Sequence, residues 1–301
     1  MARSLLNARG SSAIPMTPFD AAERIDVPAL EREIEFICQA GVGSICSPVM
    51  VPEFMALSEE ERKLMIRIPL EVADGRTAFI ANVAACNINT AVEYAEYAEK
   101  CGADAVIAMA PWAGDIDSDG IEKYFRAIAA ATTLPVMIQN AGLPNVAMSA
   151  SQVMRLCEEV ENISWVKEEV PPGPVSIDNL KQLRTPALEG IMSGFAGAYA
   201  PLDIAGGATA TIHACEFCDV VQREWDLFLN GNEAEARKLH YAMMPAIQLE
   251  LLYGMRFCKE IMIRRGIFTN ANMRNKCKPL SQAAMYEIDR VWEWTKPLLL
   301  I

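Results

Sequence analysis

The sequence predicts an α/β protein, a (β/α)8 barrel (a TIM barrel) with a C-terminal helical extension. Three features carry this reading. Eight short runs are strand-like and almost continuously apolar, as strands of a parallel sheet buried on both faces must be. Helical patterns separate them throughout, all within about 230 residues. Helical patterns then continue beyond the eighth unit. A hydrophobic content of 52% over 301 residues is ample for such a core.

Taken in order, Ser12-Ala13-Ile14-Pro15-Met16-Thr17-Pro18-Phe19 is an extended opening segment held by two prolines. Pro28 starts an amphipathic helix to about Ala40, with Ile34 and Ile37 on its apolar face. Residues 42–47 form a second strand, and a loop follows from Pro48 to Ala56. Ser58 with Glu61 three residues on is a capping box for a helix reaching about Ala73. Strands are then expected over 78–83, 105–109, 135–139, 163–170, 188–192 and 209–213. Helices are expected between them over 90–101, 119–131, 149–160, 175–183 and 199–205. Four more, near 215–230, 233–252, 255–265 and 281–294, exceed what an eightfold repeat needs. The barrel is assigned to residues 1–230 and the extension to 231–301. No Pro/Ser-rich linker divides them, so the extension is not expected to be an independent domain.

Composition excludes several partner classes. The net charge of −12 and the lack of a Lys/Arg-rich run argue against nucleic acid and anionic membrane. No apolar run approaches the roughly 18 residues of a membrane span, and the opening Met1-Ala2-Arg3-Ser4 lacks a signal-peptide pattern. The nine scattered cysteines fit reduced, buried thiols in a cytoplasmic protein. His213-x-Cys215-x-x-Cys218 offers three soft ligands, but a closed zinc site needs a fourth and no second such pair occurs. No metal is therefore expected. Nucleotide-binding glycine loops and the His-Glu-x-x-His pattern are absent as well.

The chemistry-bearing stretch is Ile163-Ser164-Trp165-Val166-Lys167-Glu168-Glu169-Val170, a buried strand that ends in a lysine and is cut off by Pro171-Pro172-Gly173. Desolvation at a strand end favours a neutral amine, a nucleophile for a carbonyl carbon. In a barrel, the strand C-termini are where active sites lie. Glu169 is two residues on, hence on the same strand face.

These residues resemble the dihydrodipicolinate synthase / N-acetylneuraminate lyase family of class I aldolases and dehydratases. Ile14-Pro15-Met16-Thr17-Pro18-Phe19-Asp20 looks like its opening strand, and Trp165-Val166-Lys167-Glu168 like its Schiff-base strand. Ser193-Gly194 and Gly206-Gly207 fall where the family has its later glycines. The departures are specific. The family's Gly-Thr-Thr-Gly-Glu loop reads Val49-Met50-Val51-Pro52-Glu53 here. Its fifth-strand tyrosine falls on Gln139, the tyrosine crossing the subunit interface on Ala113 beside Trp112, and its dicarboxylate-binding arginine near Pro144.

The resemblance implies a covalent Schiff base through Lys167, no external cofactor, a small 2-oxo acid substrate and a homotetramer or homodimer. Glutamine in the tyrosine slot, with Glu53 and Glu169, is more like the 2-keto-3-deoxy-sugar-acid dehydratases, such as the L-2-keto-3-deoxyarabonate dehydratases. The catalytic set implied is Lys167, Glu169, Glu53 and Gln139. The substrate contacts implied are Ser47, Met50, Val51, Trp112, Asn140, Ser193 and Gly194. Two alternatives stay open: a pyruvate-dependent aldolase, and a degenerate barrel that acts as a binding protein.

Overall fold

The computed structural model describes residues 5, 8–49, 53–114, 116–141, 147–274 and 278–301. Eight strands follow one another in sequence order around a closed barrel, and every recorded strand pairing is parallel. They are β1 Gly10–Ile14, β2 Ser44–Ser47, β3 Ala78–Asn82, β4 Ala105–Met109, β5 Val136–Ala141, β6 Ile163–Glu169, β7 Gly190–Ser193 and β8 Ala210–Ala214. The helices between and after them are α1 Val27–Gln39, α2 Glu59–Ala73, α3 Ile88–Cys101, α4 Ser118–Ala130, α5 Ala150–Glu159, α6 Gly173–Leu183, α7 Ala200–Ala205, α8 Cys218–Leu229, α9 Glu233–Tyr253, α10 Met255–Arg264 and α11 Gln282–Thr295.

The chain forms two compact units. One holds Ala78–Phe195 and Tyr199–Ile212, with β3 to β7 and most of β8; the other holds Arg9–Thr77 and His213–Ile301, with β1, β2 and the C-terminal helices.

Local chemistry explains the element boundaries. Ser58 accepts from Glu61 N at 3.2 Å while Glu61 Oε2 accepts from Ser58 N at 2.9 Å, so the capping box closes two of the free amides at the start of α2. Ser149 and Gln152 do the same for α5. Gly102 ends α3 at φ 88°, a left-handed conformation that suits glycine. The opening strand is shorter than its sequence pattern suggests. It stops at Ile14, because Pro15 brings no N–H to a ladder.

The pattern over 215–230 is not a surplus helix. A short 3-10 turn, Cys215–Phe217, leads into α8, which packs on β1, and Ser11 N donates to Gln222 Oε1 at 2.9 Å. It is the barrel's own eighth helix, and the surplus is α9, α10 and α11. Among the described residues no helix is long and apolar enough to cross a membrane.

Candidate active site

The register of three strands determines which side chains meet. Gln139 of β5 stands beside Lys167 of β6, and Met192 of β7 beside Lys167 on its other flank. Neighbours across a parallel ladder share a face, and alternate residues along a strand do too. Gln139, Lys167, Glu169, Met192 and Gly194 therefore occupy one face, with Trp165 and Gly190 a layer below. Glu168 on the other face interacts with Ser176 of α6, so the Lys167 face is the one turned away from the helices.

Lys167 is 4% exposed. Its Nζ pairs with Glu169 Oε2 at 2.9 Å, and Gln139 Nε2 donates to that same oxygen at 2.9 Å. Both donors thus converge on Oε2. The second oxygen, Oε1, lies against Gly194, where a Cβ would stand 2.1 Å away. Gly190 plays the matching role beneath: a Cβ there would fall 2.0 Å from the Trp165 ring. The two β7 glycines make room for the side chains of β6. A buried amine beside a half-shielded carboxylate can exchange a proton directly. That is the chemistry a nucleophilic lysine needs.

Asn140 and Glu168 face the other way. Asn140 Nδ2 donates to Met148 O and Glu168 Oε2, both at 2.9 Å, and its Oδ1 accepts from Met148 N at 2.8 Å. Glu168 also accepts from Val170 N at 2.9 Å. Burial pushes the Glu168 carboxyl above its ordinary range, against the pull of Asn140 and the Val170 amide. Asn140 is spent on holding the end of β6 to the chain around Met148. It has no hydrogen left for a substrate contact.

Ser193 is displaced in the same way. Met192 occupies the register beside Lys167, so Ser193 points to the opposite face, where its buried hydroxyl has no hydrogen-bond partner. Ser47, expected as a substrate contact, donates its hydroxyl to Met65 O of α2 at 3.0 Å. Strand alternation explains both departures. The sequence shows where a strand ends but not which of its last two residues faces inward.

Glu53 belongs to the unit that carries β1 and β2. It precedes the turn Phe54–Ala56 at φ 57° and pairs through Oε2 with Lys259 of α10 at 3.2 Å. Lys259 Nζ also donates to Thr17 O at 2.8 Å and to Asn272 O at 2.5 Å. Burial lowers the pKa of this ammonium, with Glu53 opposing the shift. Lys259 escaped the sequence reading although it sits beside Cys258, Ile261 and Met262 on the buried face of α10. A lysine among apolar helix positions was the available signal.

Met50 and Val51, also expected at the site, lie outside the described residues, as does Pro144. Trp112 is half-buried in the loop after β4, and Ala113 beside it is exposed. The cysteine motif separates into different environments. His213 Nε2 meets Ser11 Oγ at 2.8 Å, and Cys215 donates to Glu33 Oε1 at 3.1 Å. Cys218 is buried at the start of α8.

Comparison with known proteins gives this arrangement its lineage. The profile of the Dihydrodipicolinate synthetase family matches residues 7–293. The 4-hydroxy-tetrahydrodipicolinate synthase of Chlorobium luteolum is 28% identical over 293 residues, covering 95% of this chain and 96% of its own. The L-2-keto-3-deoxyarabonate dehydratase of Azospirillum brasilense is 24% identical over 296 residues, covering 97% of this chain and 96% of its own. The solved 4-hydroxy-tetrahydrodipicolinate synthase of Methylacidiphilum fumariolicum SolV superposes with a TM-score of 0.88 at 25% identity, over 96% of each chain. Enzymes of this kind work through a covalent Schiff base on a lysine and need no external cofactor. A barrel with such a lysine on its sixth strand, matched along almost its whole length, belongs to the dihydrodipicolinate synthetase family.

Proposed function

We propose that this protein is a lyase that forms a Schiff base between Lys167 and a 2-oxo acid, and that its reaction is dehydration of a 2-keto-3-deoxy sugar acid. The observation that carries the reading is the Lys167–Glu169–Gln139 triangle. Its amine is held by a carboxylate at 2.9 Å, and an amide stands at the strand position where a phenol would serve a proton relay.

The amine, its proton passed to Glu169, attacks the 2-oxo carbon, and loss of water leaves an iminium. The iminium draws electrons from the neighbouring C3–H bond, whose proton goes to a carboxylate base. The electron pair then expels the hydroxyl from C4, which leaves as water after taking a proton. Hydrolysis of the conjugated iminium frees Lys167. Glu169 is assigned the proton traffic, because it is the carboxylate on the amine. Gln139 cannot carry a proton at neutral pH. Its amide holds Glu169 Oε2 in place.

Retro-aldol cleavage shares the iminium but must take a proton from the distal hydroxyl, and no residue of β5 supplies a phenol for that. Both kinds of relative, a condensing synthase and a sugar-acid dehydratase, occur at similar coverage, so the choice rests on the triangle. Product analysis decides it. Incubation with 2-keto-3-deoxypentonates should give a dehydrated 2-oxo acid. Pyruvate and an aldehyde in stoichiometric amounts would instead make this an aldolase.

A further inference from the structure

The end of β8 carries a second cluster that the lysine chemistry does not use. Glu216 lies in the turn Cys215–Phe217, Glu250 near the C-terminus of α9, and Cys258 on α10. One ligand atom from each lies within 4.8 Å of the other two. Glu216 is 1% exposed, and neither of its carboxylate oxygens has a hydrogen-bond partner of ordinary geometry; the groups that act on it are its own amide and the other two members of the cluster, Cys258 and Glu250. Cys258, also 1% exposed, reaches Gly254 O with its thiol at 3.4 Å and interacts with Glu216 as well. Glu250 is half-buried. Among the described residues no lysine or arginine forms an ion pair with either glutamate; the positive charge that acts on Glu216 is Arg265, which is itself paired with Asp219 at 2.7 Å.

Two carboxylates and a thiol facing one another inside a protein are costly unless something neutralises them. An almost fully buried carboxylate whose side-chain partners are only another acid and a thiol marks a missing partner. We infer that Glu216, Glu250 and Cys258 form a structural site for a divalent transition-metal ion of the zinc class. The ion would tie the end of β8 to α9 and α10. A sulfur with two oxygens suits zinc, whereas the thiol disfavours magnesium and calcium. Zinc bonds of about 2.0–2.3 Å require the three atoms to draw in to about 3.5 Å of one another. On binding, the Cys258 thiol gives its proton to solvent and the two carboxylates enter ionised. A water completes four-coordination on the Glu250 side. Local motif reading could not find this site, because its ligands come from three separate segments.

The probe is zinc itself, added to chelator-treated full-length protein. One equivalent should survive gel filtration and raise the melting temperature. Cobalt in its place should show a thiolate-to-cobalt charge-transfer band with four-coordinate d–d intensities. Glu216→Gln and Cys258→Ser should each weaken zinc binding by roughly 100-fold or more, beyond the loss typical of an outer-shell partner. Both variants should keep the far-ultraviolet circular dichroism of the parent, since each removes a buried acid. Cys86→Ala, which alters an exposed thiol, should bind zinc like the parent. Overturning results are no retained zinc, zinc retained equally by Glu216→Gln and Cys258→Ser, or a cobalt spectrum without the sulfur band. Any of these would leave the cluster as acids that keep their protons.

Discussion

Glu169 and Gly194 are matched across neighbouring strands: a single methyl on Gly194 would stand 2.1 Å from Glu169 Oε1. The glycine is therefore a condition for the carboxylate to sit on Lys167. Gly194→Ala should push Glu169 toward the solvent side, where it is already partly exposed, and break its 2.9 Å pairing with the amine. Turnover should fall by about 100-fold, the scale of a misplacement of about 1 Å at a reacting centre. Circular dichroism should stay unchanged. Parental turnover in this variant would remove Glu169 from the mechanism.

The Lys259–Glu53 pair should contribute to stability. Lys259→Met removes the ammonium from Glu53 and leaves Thr17 O and Asn272 O without their donor. Breaking a buried pair by taking one partner typically costs about 3–5 kcal/mol. Urea denaturation checks this. A loss below about 1 kcal/mol would mean that the pair is solvated in solution.

A pH dependence follows from Glu33. Burial raises its carboxyl from an ordinary 4.5 to about 8, against the bonds from Cys215 and the Met16 amide and the nearby Lys259; Glu216 adds to the rise. Between about pH 4.5 and 8 the folded protein therefore holds a proton that the unfolded chain has lost. This contribution is full below 4.5 and is lost as pH rises through 8. His213 runs the other way. Burial holds it down to about 4, so its contribution is full above 6.5 and lost as pH falls through 4. Glu33→Gln mimics the protonated acid and keeps an acceptor for the Met16 amide. Its urea midpoint should decline less than the parent's between pH 6.5 and 8. Parallel curves would contradict the assignment.

Assembly gives a fourth test. Trp112 is half-buried in the loop after β4, beside Ala113, the residue that the family resemblance aligns with an interface tyrosine. A homodimer or homotetramer is expected, with Pro111-Trp112-Ala113 near the contact. Sedimentation at micromolar concentration should show the oligomer, and Trp112→Glu should dissociate it. A monomeric parent would refute the expectation.

Much of the fold was legible because a parallel barrel writes itself in apolar runs. Ala105–Met109 is a strand at its predicted bounds, and the Ser58–Glu61 box starts α2 as read. The i, i+2 spacing of Lys167 and Glu169 placed both on one face, and they pair. The parts not legible depend on facing and on long-range partners. Asn140 and Ser193 sit one residue from the inner face, and that single step turns them away from Lys167. Lys259 meets Glu53 across 206 residues, and Glu216 meets Glu250 and Cys258 across three elements. Neither pairing leaves a local pattern.

In the proposed reaction Lys167 is the nucleophile. Incubation with pyruvate and borohydride should add one reduced pyruvate adduct per chain, and peptide mapping should place it on Lys167. Lys259, although buried, is engaged by Glu53 and two carbonyls and should stay unmodified. Lys167→Ala should abolish the adduct while the chain remains folded. Absence of an adduct with pyruvate and with other small 2-oxo acids, or an adduct that persists in Lys167→Ala, would contradict the account.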